Sequence, residues 1–196
     1  MKKLAVLAAC LLLSFSASAQ AVISEILVNS FDPQTGLRSL ATDQAVVRNG
    51  MTDRNPIKVG LMAVELPDGW HYSLSVTVTE YVSRAIPEGA ILLIKTSKGE
   101  VIELKNTLDE ITSQDFSGEV VAGSSVLVYE NRANYQITQE QLMTIGRTGV
   151  QKIRLQRAGD HFDTEYKKDQ WAKVISAHLL AVQAEIRKNK DIRSDF

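Results

Sequence analysis

Tyr135-Gln136-Ile137-Thr138-Gln139-Glu140-Gln141-Leu142-Met143-Thr144-Ile145-Gly146-Arg147-Thr148-Gly149-Val150-Gln151-Lys152-Ile153-Arg154-Leu155-Gln156 is the stretch that decides how the chain is read. Thr138 has the residue type of a helix N-cap, and Gln141 three positions on completes a capping box. Ile137 before the cap and Leu142 after it have the spacing of a hydrophobic staple. Gly146 is expected to end the helix in a left-handed conformation, with a turn at Thr148-Gly149. Val150 to Gln156 then alternates as a half-buried strand does, with Ile153 and Leu155 on one face and Lys152, Arg154 and Gln156 on the other. The order is strand, short helix, strand.

Upstream, the chain reads as strands. Ala21 to Asn29 is expected to be the first, followed by a turn cluster at Asp32-Pro33-Gln34-Thr35-Gly36. Leu37 to Val47 is ambiguous, with a strand favoured at Ala45-Val46-Val47. Asn49-Gly50 has the composition of a hairpin turn, and Thr52 to Pro56 reads as a loop. Ile57 to Leu66, the turn Pro67-Asp68-Gly69 and the strand from Trp70 to Val78 give the strongest hairpin signal. Trp70, Tyr72, Leu74, Val76 and Val78 point one way, and His71, Ser73, Ser75, Thr77 and Thr79 the other, which predicts one face on a core and one in water. After Pro87-Glu88-Gly89, the unbroken apolar run Ile91 to Ile94 predicts a central strand covered on both faces. It turns at Ser97-Lys98-Gly99 and returns through Val101 to Leu104. Thr107 to Gly118, polar and acidic, reads as a loop or a short helical turn. Val120 to Tyr129 is expected to be a strand with a break at Gly123.

Downstream, Gly159 to Thr164 reads as a loop, and a long helix is expected from about 165 to 188, with Asp163 or Thr164 as N-cap. Trp171, Ile175, His178, Leu179, Val182 and Ile186 fall on one arc at helical spacing, with Lys167, Lys173 and Lys188 off it. The arc is expected to dock on the protein's own sheet. The fold class is therefore α+β, mainly β: an antiparallel sheet or sandwich of about 7–9 strands, a short helix over about 138–146 and the long C-terminal helix. No internal repeat or low-complexity segment interrupts it.

The first residues carry an export signal. Lys2 and Lys3 precede an apolar run from Leu4 to Phe15, and Ala17-Ser18-Ala19 has the small-x-small pattern of a signal peptidase site. Residues 1–19 are expected to be removed, leaving 20–196 as a single β-rich domain of 177 residues that begins at Gln20, in the periplasm or outside the cell. Leu7-Ala8-Ala9-Cys10 also matches a lipobox, so a lipid anchor through Cys10 is the alternative. Cys10 is the only cysteine of the 196 residues, so a mature chain from Gln20 holds no disulfide, thiol nucleophile or cysteine-bound metal. Against 23 acids the mature chain keeps 20 of its 22 lysines and arginines. A net charge near −3 gives no electrostatic reason to expect nucleic acid. No later stretch is apolar enough for a transmembrane segment.

Ile86-Pro87-Glu88-Gly89-Ala90-Ile91-Leu92-Leu93-Ile94, Gly99-Glu100-Val101-Ile102-Glu103-Leu104, Tyr135-Gln136-Ile137-Thr138 and Lys152-Ile153-Arg154 together resemble uncharacterised secreted bacterial β-rich domains. The resemblance spans residues 86–156. It implies the fold class and export and carries no activity or functional residue.

Two clusters are candidates for chemistry. Asp160, His161, Asp163 and Glu165 put four oxygen or imidazole ligands within six residues, a density that suits Ca²⁺ or, through a His–carboxylate pair, a transition metal. The structural alternative is an N-cap with acids at the positive end of a helix. Arg147, Lys152, Arg154 and Arg157 form a basic run able to line an anion or glycan site, or else to protect an edge strand against pairing. His178 on the apolar arc reads as a core or boundary residue, and His71 as a solvated one. The chain has no HExxH, GxSxG or P-loop pattern, and Gly123-Ser124-Ser125 is not a nucleophile elbow. The sequence therefore points to a non-enzymatic binding or cell-envelope structural module without a cofactor, whose partner is an envelope protein or a glycan. The alternative is a metal-dependent hydrolase using Asp160, His161 and Asp163.

Overall fold

The computed structural model describes residues 24–47, 57–107, 111–121, 124–166 and 170–194. The signal segment, Cys10, the Asn49-Gly50 turn, the Thr52–Pro56 loop and Gly123 lie outside the described residues.

Among these residues the strands are β1 (Ile26–Phe31), β2 (Arg38–Thr42), β3 (Ala45–Val47), β4 (Ile57–Leu66), β5 (Gly69–Glu80), β6 (Ile91–Thr96), β7 (Val101–Lys105), β8 (Ile111–Val121), β9 (Ser124–Ile137), β10 (Val150–Arg157) and β11 (Asp160–Glu165). The helices are α1 (Gln139–Thr148) and α2 (Gln170–Ser194). The larger sheet runs β1-β2-β4-β5-β9-β8, with β3 also paired to β4, and the smaller runs β11-β10-β6-β7. Every pairing is antiparallel. The mainly β class with one short and one C-terminal helix is the one read from the sequence.

The expected hairpins pair in the register that the alternation dictates. Leu66 faces Gly69 across the Pro67-Asp68 turn, and the ladder continues to Ile57 opposite Val78. Tyr72, Leu74, Val76 and Val78 are buried, as the period-two pattern requires. The opposite face is more closed than alternation suggested. Ser75 and Thr77 are buried because the Gln44 side chain lies over them, donating to Ser75 Oγ (3.1 Å) and accepting from Thr77 Oγ1 (3.2 Å).

α1 is the passage from one sheet to the other. It follows β9 of the larger sheet and leads into β10 of the smaller. Its capping box is formed: Thr138 Oγ1 accepts from Gln141 N–H (3.1 Å), and Gln141 Oε1 accepts from Thr138 N–H (2.9 Å). Leu142 and Ile145 are fully buried. The helix does not stop at Gly146. It continues to Thr148, and Gly149 supplies the positive φ (74°) that ends it. Gly146 sits where α1 crosses α2, and a Cβ there would lie 2.7 Å from Ser176 Oγ.

α2 packs on β2, β3, β4, β10 and α1. Trp171, Ile175 and Val182 are fully buried in one core cluster with Leu61, Leu92 and Ile153, so both sheets and both helices close on the same interior. This is the docking expected of the apolar arc.

Four local expectations are corrected. The segment 160–165 is strand β11 rather than a loop, and α2 begins at Gln170, so neither Asp163 nor Thr164 caps it. Cross-strand pairing with β10 holds the segment extended, from Arg157 opposite Asp160 to Lys152 opposite Glu165. Residues 111–118 belong to β8, drawn into the sheet as the partner of the long β9 despite their polar composition. β1 runs Ile26–Phe31, past the expected end at Asn29 and without Ser24 and Glu25, while residues 21–23 lie outside the described residues. β6 is central, between β10 and β7, yet of its apolar run Ile91–Ile94 only Leu92 and Ile94 are buried, while Ile91 and Leu93 stay half-exposed on the outer face.

Candidate functional site

The β10–β11 hairpin gathers most of the predicted site residues. Cross-strand neighbours on one face are Lys152 with Glu165, Arg154 with Asp163, and Gln156 with His161. The Arg154 fork donates through Nε to Asp163 Oδ1 and through Nη2 to Oδ2, both at 2.7 Å. Lys152 Nζ lies 3.4 Å from both Asp163 and Glu165. The Arg154 hydrogen bonds hold the Asp163 carboxyl down to about 2, against the opposing effect of burial. A carboxylate ionised throughout the neutral range is a poor general acid or base, which needs a pKa near the working pH.

Arg157 faces the other way. Its side chain is buried, donates to Glu80, to Asp160 Oδ1 (2.8 Å) and to Asp160 Oδ2 (3.1 Å), and lies 5.6 Å from the Phe162 ring. Arg84 pairs with the same Asp160. Asp160 and Asp163 thus project to opposite faces of β11, each taken up by an arginine. Among the described residues, no three His, Cys, Asp or Glu side chains group so as to hold a metal. Arg147 stands apart on α1, where its Nε donates to Met143 O (3.2 Å). A shallow cleft of about 550 Å³ opens on the outer face, lined by Ile91, Leu93, Glu103, Arg154, Gln156 and His161 among others.

One constellation was not visible in the sequence. His178, fully buried on α2, receives the Ser24 hydroxyl at Nδ1 (2.7 Å) and donates from Nε2 to Val59 O (2.9 Å), while Asp43 Oδ1 lies 3.9 Å from Nδ1. Serine, histidine and aspartate are together, but not as a relay. Asp43 is on the serine side of the ring, its Oδ1 3.3 Å from Ser24 Oγ, and the far nitrogen is taken by a backbone carbonyl. Burial pushes the imidazole below its ordinary pKa, opposed by the Val59 hydrogen bond and the Asp43 charge. The cluster ties the start of the described chain to α2. Ser24 and His178 are 154 residues apart, and no local pattern announces their meeting.

The other open feature is where the sheets join. Asn106, just past β7, makes an isolated bridge to Tyr135 of β9. Its Oδ1 accepts from Asn134 N–H (3.1 Å), and its Nδ2 donates to Pro87 O (3.0 Å) and Ile86 O (3.3 Å). Beyond that buried joint β7 and β9 part, and a cleft of about 590 Å³ lies between them, lined by Trp70, His71, Glu103, Lys105, Gln136 and Gln139 among others. His71 is half-exposed there and bonded to Asp68 at 2.9 Å.

Comparison with protein-family models, with curated proteins and with solved structures found no match for this chain. Among the described residues, no helix is long and apolar enough to cross a membrane.

Proposed function

We propose that this chain is an exported, non-enzymatic module that binds or braces a component of the cell envelope. The observation that carries the reading is the commitment of Asp160 and Asp163 to Arg157 and Arg154 of their own hairpin, with Arg84 also pairing Asp160. The acids that hydrolysis would need are bound into the structure, while the open cleft at the sheet junction is lined by amides, the rings of Trp70, His71 and Tyr72, and the opposite charges of Glu103 and Lys105. Export rests on Lys2-Lys3, the apolar run to Phe15 and Ala17-Ser18-Ala19.

Cell fractionation with intact mass tests the location. The expected species is periplasmic or secreted and begins at Gln20, and a species retaining Cys10 with added acyl mass contradicts it. Turnover assays with ester, peptide and phosphoester probes, with and without Zn²⁺ or Ca²⁺, test the rest. Metal-dependent hydrolysis lost in Asp163→Asn would replace the binding module by a hydrolase.

A further inference from the structure

We propose that the cleft between β7 and the β9–α1 junction binds an uncharged saccharide. The proposal rests on the binding-module reading and adds the place and the chemical class of the ligand.

The cleft volume of about 590 Å³ falls in the range of small-ligand sites. One wall is β7, whose exposed Glu103 and Lys105 carry opposite charges. The other wall carries two exposed amide side chains, Gln136 at the end of β9 and Gln139 at the start of α1. Trp70, at the start of β5, is half-buried, packed on the core and lining the same cleft. An aromatic surface beside side-chain amides suits a sugar ring, whose C–H face is apolar and whose hydroxyls both donate and accept. The balanced charges favour a neutral ligand, because an anion would meet Glu103 and a cation Lys105.

An extended peptide is the natural competitor, since β7 is an edge strand. The geometry limits it. Asn106 turns its N–H and C=O toward β6, bonding Ala90 O and Gly89 N, so Thr107 faces off the edge and already donates to Asn134 O (2.9 Å). The joint therefore closes the edge at one end, and the free remainder from Val101 to Lys105 carries the exposed charges that discourage strand addition.

Calorimetric titration of the intact mature protein with chitotetraose and cellotetraose, both neutral tetrasaccharides, tests the proposal against tetragalacturonate and tetra-alanine. Binding of a neutral probe is expected at a Kd of roughly millimolar or tighter. Gln136→Ala and Gln139→Ala are each expected to weaken it by roughly fivefold, one neutral hydrogen bond apiece, with unchanged melting temperatures. Trp70 emission should respond, because Trp171 is fully buried in the core. Failure of both neutral probes, binding indifferent to the two glutamines, or preference for the charged probe overturns the saccharide assignment. Capture of tetra-alanine alone overturns it while leaving a binding module in place, whereas cleavage of any probe overturns the module as well.

Discussion

The Ser24 hydroxyl donates to His178 Nδ1 at 2.7 Å inside the protein, joining the first described residue to the C-terminal helix. The groups facing this imidazole are Ser24, the Val59 carbonyl and the Asp43 carboxylate. Burial keeps His178 below the ordinary histidine pKa, so over that interval the unfolded chain binds the extra proton. The stability this group protects is present above about pH 6.5 and is lost as pH falls below it. Denaturant midpoints of the wild type should drop between about pH 7 and pH 5, and His178→Met should flatten that slope. An unchanged slope in the variant would place the pH dependence elsewhere. Asp163 acts in a separate window, its contribution fading from about pH 4 toward its folded value of about 2.

Gly146 and Ser176 set the approach of the two helices. Alanine at 146 gains about 1 kcal/mol of helix propensity but places Cβ against the Ser176 hydroxyl. Gly146→Ala should stabilise fully only in a Ser176→Ala background, where the obstructing oxygen is gone. A double-mutant cycle of melts checks this, and equal effects in both backgrounds would mean the helices yield freely.

Thr138→Ala should cost about 1 kcal/mol, because both halves of the capping box are formed. Leu142→Ala should cost roughly 2–4 kcal/mol, because Leu142 is completely buried, while Glu140→Ala at an exposed position should be near neutral. Side-by-side denaturant melts rank the three. Equal midpoints for Leu142→Ala and Glu140→Ala would make α1 a surface appendage.

Legibility followed the range of the interactions. Thr138, Gln141, Pro67 and Asp68 act on neighbours a few residues away, so their cap and turn could be read directly, as could the arc that buries Trp171. Gly146 was read as a terminator because glycine has that use locally. Its actual role depends on Ser176, a contact across two helices. Asp163 looked like a cap because the strand partner that makes it an ion-pair member, Arg154, precedes it across a turn. The 111–118 segment has the composition of a loop and becomes a strand through pairing with β9. Both the Ser24–His178 contact and the Trp70–Gln136 cleft exist only once distant strands are placed, so no motif search reaches them.

Arg157→Ala should be among the most damaging single changes, at about 3–5 kcal/mol, because it leaves the nearly buried Glu80 carboxylate without its cation. Replacing both, as Glu80→Leu with Arg157→Met, should recover most of the loss. Thermal melts of the two variants beside the wild type separate a buried pair from a dispensable one.

The most direct test of the account is the thermal melt of the wild type, Asp160→Asn and Asp163→Asn, each with and without Zn²⁺ or Ca²⁺. If both acids serve as clasps for Arg84, Arg154 and Arg157, both substitutions lower the melting temperature, and neither metal shifts the wild type. A metal-dependent rise in the wild type that Asp160→Asn and Asp163→Asn abolish would show that the native state binds metal through these residues, and the structural reading of the hairpin would fall.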